Sequence, residues 1–223
     1  MGQERLALLQ LCDSLFPVGS FAHSDGLESA VAAGRVASGA DLREWLAATA
    51  TIVLADAEGP AVRSAYLAAR SGDVAALASL DSEVDAMRPS SSGREATRAM
   101  GTRLLKTWQQ IRPTEIVRAA IEGRARYTFP VAFGIVCAAS EVELVEGVEA
   151  YCYTRLAATV SAAMRLMALG QNEAHGLLAE VLRAVPACVE RITRDGEPPR
   201  CFTPMMDIAA MSHQYVHSRL FRS

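Results

Sequence analysis

The chain has 223 residues, a formal net charge of −3, 51% hydrophobic residues and 21% charged residues. That is enough for one large domain with a sizeable core, and the composition excludes wholesale disorder. With a pI of about 5.8 the basic footprint of a nucleic-acid binder is missing.

Taken in order, the first element is a short apolar helix over Glu4–Cys12. Turn chemistry follows from Asp13 to Gly26, where Phe16 and Phe21 flank Pro17 and Gly19. A helix over Leu27–Ala33 stops at Gly34. Asp41 and Glu44 have capping-box spacing and predict a helix through Trp45 and Val53 to about Ala57. Pro60–Arg70 reads as another helix, with Pro in its tolerated first turn. Asp73 is placed to cap the next, to about Met87, and Arg88–Gly93 reads as a connecting loop.

Arg94–Gln110 is amphipathic, with Met100, Leu104, Leu105 and Trp108 opposite its charges. Thr114 is placed to cap a helix from Glu115 to about Arg126, and Phe129–Ser140 reads as a buried helix. Between Val148 and Leu169, Cys152, Leu156, Val160, Met164 and Met167 recur at helical spacing and predict a core-facing stripe. Glu173–Arg194 is expected as one helix with a kink at Pro186; Met205–His213 is the last. Forty Ala, few aromatics and no long period-two alternation predict an all-α, single-domain bundle of about ten helices spanning residues 1–223, with 212–223 a mobile tail.

Several chemistries are missing from the sequence. No GxxxxGK[ST], GxGxxG, GxSxG or HExxH occurs, so neither a phosphate loop nor a hydrolase elbow is expected. His213 and His217 share a helical face and are weak candidates as metal ligands, with Cys201 upstream; no metal site is expected. Five Cys form an odd set without CxxC, which fits reduced thiols in a cytoplasmic protein. The longest uncharged run, Tyr127–Ser140, is too short for a membrane span.

Three segments stand out from a plain bundle: Leu9–Glu28, Met164–Asn172 and the tail Met211–Ser223. In the tail, Leu220 and Phe221 sit between Arg219 and Arg222, a composition suited either to a partner pocket or to a tail folded back on its own domain. These segments resemble the urease accessory protein F family (UreF). Its N-terminal signature, of the form LQL…PxGxFxxSxGLE, is matched by Leu9, Gln10, Leu11, Pro17, Gly19, Phe21, Ser24, Gly26, Leu27 and Glu28. A central motif like K-L-x-P-L-G-Q is matched by Leu166, Leu169, Gly170 and Gln171, and a tail close to HExxYSRLFRS by His213, Ser218, Arg219, Leu220, Phe221, Arg222 and Ser223. The matches run in order along the whole domain. His23 replaces a common Tyr, Gln214 a Glu, His217 a Tyr, Arg165 a Lys and Ala168 a Pro.

The resemblance implies an all-helical, homodimeric, non-enzymatic chaperone. It would bridge the accessory protein UreD/UreH and the GTPase UreG and support GTP-dependent nickel delivery to apo-urease. Nickel would be in transit, GTP would sit on the GTPase alone, and no cofactor would be held stably. Gly19, Phe21 and Arg219 match family positions implicated in partner engagement. The partner-binding set carried over is Pro17, Gly19, Phe21, His23, Gly26, Leu27, Glu28, Gly170, Gln171, His213, Ser218, Arg219, Leu220, Phe221 and Arg222. Two rival readings are a helical adaptor unconnected with urease and a metal-dependent hydrolase using His213, His217 and a Cys.

Overall fold

The structure, a computed structural model, describes residues 2–124 and 126–223. Among them the chain forms twelve α-helices and no strand. They are α1 Gln3–Cys12, α2 Leu27–Ala32, α3 Gly39–Ala48, α4 Gly59–Ser71, α5 Val74–Ala86, α6 Ser91–Ile111, α7 Glu115–Gly123, α8 Phe129–Ala139, α9 Leu144–Leu166, α10 Gln171–Leu182, α11 Val185–Asp195 and α12 Pro204–Ser212.

α8 is the hub. Its residues from Phe129 through Ala138 are all buried, and it packs against α4, α6, α7 and α9. The approach to α4 is so close that a Cβ on Gly134 would strike the Val62 carbonyl oxygen. Phe133 stacks edge-on to Tyr151 of α9 with centroids 5.1 Å apart, and Phe129 joins them at 5.7 Å from Tyr151.

The helix ends refine the sequence expectations. α3 does begin with a capping box, but one turn earlier: Ser38 is the cap, and Asp41 is its reciprocal partner rather than the cap itself. Asp41 Oδ2 accepts from the Ala37 and Ser38 amides, both at 2.9 Å, which fixes this register. Ser90 caps α6, so Ser91–Gly93 are helical rather than loop. The expected helix over Glu173–Arg194 is two helices, because the chain turns at Arg183–Ala184 and Pro186 falls in the first turn of α11. Between α3 and α4, Thr49–Glu58 winds as a π-helix without breaking the rod. This stretch places Glu58 inside the bundle, where it is buried.

Candidate functional site

The connection from α1 to α2 is a chain of tight turns. Phe16 donates its amide to the Asp13 carbonyl at 2.9 Å, and its ring packs on Trp108. Gly19, at φ 81°, opens a 3₁₀ turn over Ser20–Ala22. Asp25 and Gly26 then both adopt left-handed backbone, at φ 48° and 87°. Gly26 also meets α12 so closely that a Cβ would stand 2.7 Å from the Ala210 amide nitrogen. For Asp25 the conformation is strained, and its surroundings compensate.

Those surroundings are an ionic cluster in which Glu58 is buried and Asp25, Arg88 and Arg155 are half-buried. Arg155 pairs with Asp25 and, through Nε, with Glu58 Oε2 at 2.9 Å. Arg88 pairs with Glu58 and lies 3.9 Å from Asp25. The Tyr151 hydroxyl donates to Glu58 Oε2 at 2.9 Å. Burial pushes the Asp25 carboxyl up, but the Arg155 and Arg88 guanidiniums overcome this and hold it well below the usual carboxylate range. Two carboxylates and two guanidiniums balance, so the buried Glu58 carboxylate is not left unpaired. A cavity of about 100 Å³ lies against the cluster, walled by Trp45, Met206 and Cys201 among others.

The tail closes over this base. After α12 the chain makes a 3₁₀ turn at His213–Tyr215 and returns to the loop. Glu28 is the anchor: its carboxylate accepts from the Leu220 amide at 2.6 Å and the Phe221 amide at 3.2 Å, and Oε2 bonds His213 Nε2 at 2.7 Å. Ser24 donates both its amide and its hydroxyl to the Ser223 carbonyl oxygen, at 2.7 and 3.0 Å. His23 Nδ1 bonds the Ser223 hydroxyl at 2.8 Å, and the Arg222 amide donates to Ala22 at 2.8 Å. Arg165 lies 4.3 Å over the Phe221 ring and donates to the Phe21 carbonyl at 2.7 Å. The tail is therefore docked on its own domain.

This geometry sorts the residues singled out from sequence. Gly19, Gly26, Leu27, Glu28, His213 and Phe221 are buried, Phe221 being 4% exposed; Gly26, Glu28, His213 and Phe221 build the loop–tail seam, whereas Gly19 sits against Arg103 of α6. His23 is half-buried within it. Pro17, Phe21, Ser218, Arg219, Leu220 and Arg222 remain open to solvent at its edge, with Phe21 at 72% and Leu220 at 60%. Gly170 and Gln171 are exposed at the start of α10. His213 is committed to Glu28, whereas His217 is exposed. Among the described residues no group of three or more His, Cys, Asp or Glu is placed to hold a metal ion.

Burial pushes the Cys12 thiol up to about 11 and the Cys152 thiol up to about 12, so both stay protonated at neutral pH and are poor nucleophiles. No described helix is long and apolar enough to cross a membrane.

Sequence reasoning missed Asp25, Glu58, Arg88, Tyr151 and Arg155 as parts of the site. One signal was available: Arg155 interrupts the apolar stripe between Cys152 and Leu156, and Tyr151 lies four residues before it on the same face. Glu58 and Arg88 carry no such mark.

Comparison with known proteins identifies the family. The UreF family model matches residues 36–182. A urease accessory protein UreF of Methylibium petroleiphilum is 35% identical, covering 98% of this chain and 93% of that protein. UreF of Arthrobacter sp. (strain FB24) is 34% identical, covering 100% and 98%, and that of Ralstonia pickettii 35%, covering 97% and 96%. A match over most of the chain by the family model, and over nearly all of it by these relatives, places the chain in the UreF family of urease accessory proteins, with a role in urease maturation.

Proposed function

We propose that this chain is a maturation chaperone that acts by contact rather than by chemistry. It bridges the UreD/UreH accessory protein and the GTPase UreG, and so supports GTP-dependent nickel insertion into apo-urease. It works as a homodimer in the cytoplasm. Nickel is cargo rather than a resident cofactor, and GTP stays on the GTPase.

The observation that carries this reading is the loop–tail face. Exposed Phe21, Tyr215 and Leu220, with Arg219 and Arg222, stand at the rim of a seam whose backbone is held by Glu28 and Ser24. Aromatic and Arg side chains are the usual anchors of protein interfaces. A tail already docked has met its ordering cost before a partner arrives, so more of the contact energy becomes affinity. Beneath it the balanced Asp25–Arg155–Glu58–Arg88 cluster holds the strained turn in place.

The test is reconstitution of urease from apo-enzyme, UreD/UreH, UreG, nickel and GTP, with and without this chain. Activation is expected to depend on the chain. Full activation in its absence would reject the reading.

A further inference from the structure

A second surface lies on the exposed side of α6. Thr102, Arg103, Lys106, Thr107 and Gln110 recur at three- and four-residue intervals on one helical face, and with Arg126 they line a groove of about 300 Å³. At a rise of about 1.5 Å per residue the stripe from Thr102 to Gln110 is about 12 Å long.

The groove is cationic in a chain whose net charge is −3. α6 carries Arg94, Arg98, Arg103 and Lys106 against the single carboxylate of Glu95. Several of these charges are engaged: Arg98 pairs with Asp85, Arg126 with Glu95, and Arg94 donates to the Arg88 and Pro89 carbonyls. Arg103 is different. It donates to the neutral Val18 carbonyl at 3.1 Å and has no carboxylate partner among the described residues, so its charge is not compensated there. Lys106, the only lysine in the chain, has no hydrogen-bond or carboxylate partner among the described residues. Two uncompensated charges one turn apart thus share one elongated surface with the exposed Gln110.

We propose that this groove docks an acidic segment of a protein partner, lying extended along α6 with its carboxylates on Arg103 and Lys106. The groove runs along the middle of a helix, where backbone N–H groups are already used within the helix. It therefore lacks the amide nest that cradles a lone phosphate. Only Arg103 and Lys106 bring uncompensated charge to the groove, too few for the continuous basic track that a polynucleotide backbone needs. Arg103 ties the groove to the turn before Gly19, where its guanidinium fills the space a side chain at Gly19 would need. An acidic segment seated here therefore lies beside the signature loop. The proposal does not depend on the bridging role, because the charge and shape of α6 stand without it.

The probe is a fluorescein-labelled peptide of about ten alternating Glu and Asp residues, titrated by fluorescence anisotropy into the full chain. Binding is expected, and it should weaken steeply between about 50 and 200 mM salt. Lys106→Glu should lower affinity at least about tenfold with unchanged helical content, since Lys106 is exposed and supports nothing else. Lys106→Arg should retain binding, as should the equal charge reversal Arg70→Glu on α4. Absence of binding, an unaffected Lys106→Glu variant, or an equal loss in Arg70→Glu would overturn the proposal. So would tighter binding of a single-stranded oligonucleotide of matched charge.

Discussion

The α4–α8 core and the loop–tail seam are both closed to solvent, but different forces hold them. Around α8 the contacts are apolar and crowded: Phe133 is wholly buried between Phe129 and Tyr151, and Gly134 leaves no room toward Val62. Such packing spreads its energy over many small dispersion contacts. In the seam a few directional bonds carry the structure, and Glu28 alone serves three groups. Dispersed packing fails through lost volume, whereas a polar seam fails when one partner is removed and its mates stay buried and unpaired. The first kind of region makes a platform; the second sets the position of a surface.

The largest effect is expected in the core. Phe133→Ala should cost about 3–5 kcal/mol by chemical denaturation, because the neighbouring helices cannot collapse into the space. Next comes Arg155→Leu, expected to cost about 3 kcal/mol by leaving Asp25 and Glu58 short of a cation. If Arg155→Leu proved neutral, the cluster would not be what holds the turn.

Glu28→Ala should cost about 1–3 kcal/mol and act locally. Hydrogen exchange at the Leu220 and Phe221 amides should accelerate while α8 stays protected. Uniform loss of protection would mean that core and seam are one cooperative unit.

The smallest effect concerns His23. Burial lowers its pKa, with Asp25 opposing and Arg222, Arg155 and Arg103 reinforcing the lowering, so the folded seam favours the neutral ring. A depressed imidazole pKa gives stability that is present above about pH 6.5 and lost as pH falls below it. Asp25, also depressed, gives stability present above about pH 4 and lost on further acidification. The urea midpoint should therefore fall between pH 7 and pH 5, and His23→Gln should lack that fall.

The core was legible in the sequence because its signal is local and periodic. The apolar run of α8 and the three-and-four spacing of α9 each lie within a short window. Helix ends were less so: the capping box slid by one turn, since Ser38 and Asp41 fit the reciprocal bonds as well as Asp41 and Glu44 fit the spacing. The π-helical stretch left no mark, because Thr49–Glu58 has the composition of an ordinary buried helix. The seam joins residues nearly the whole chain apart, Glu28 with His213 and Ser24 with Ser223. No local pattern encodes such a pairing. The family motifs flagged both halves of it, though as separate partner surfaces rather than as one face.

The central claim is that the rim of this face, not its buried seam, is what partners touch. Its most direct test is the Phe21→Ala, Leu220→Ala double variant in a pull-down with UreD/UreH and UreG. The account predicts an unchanged denaturation midpoint with affinity lowered by about 2 kcal/mol or more, roughly thirtyfold. Full retention of both partners by the folded variant would contradict it.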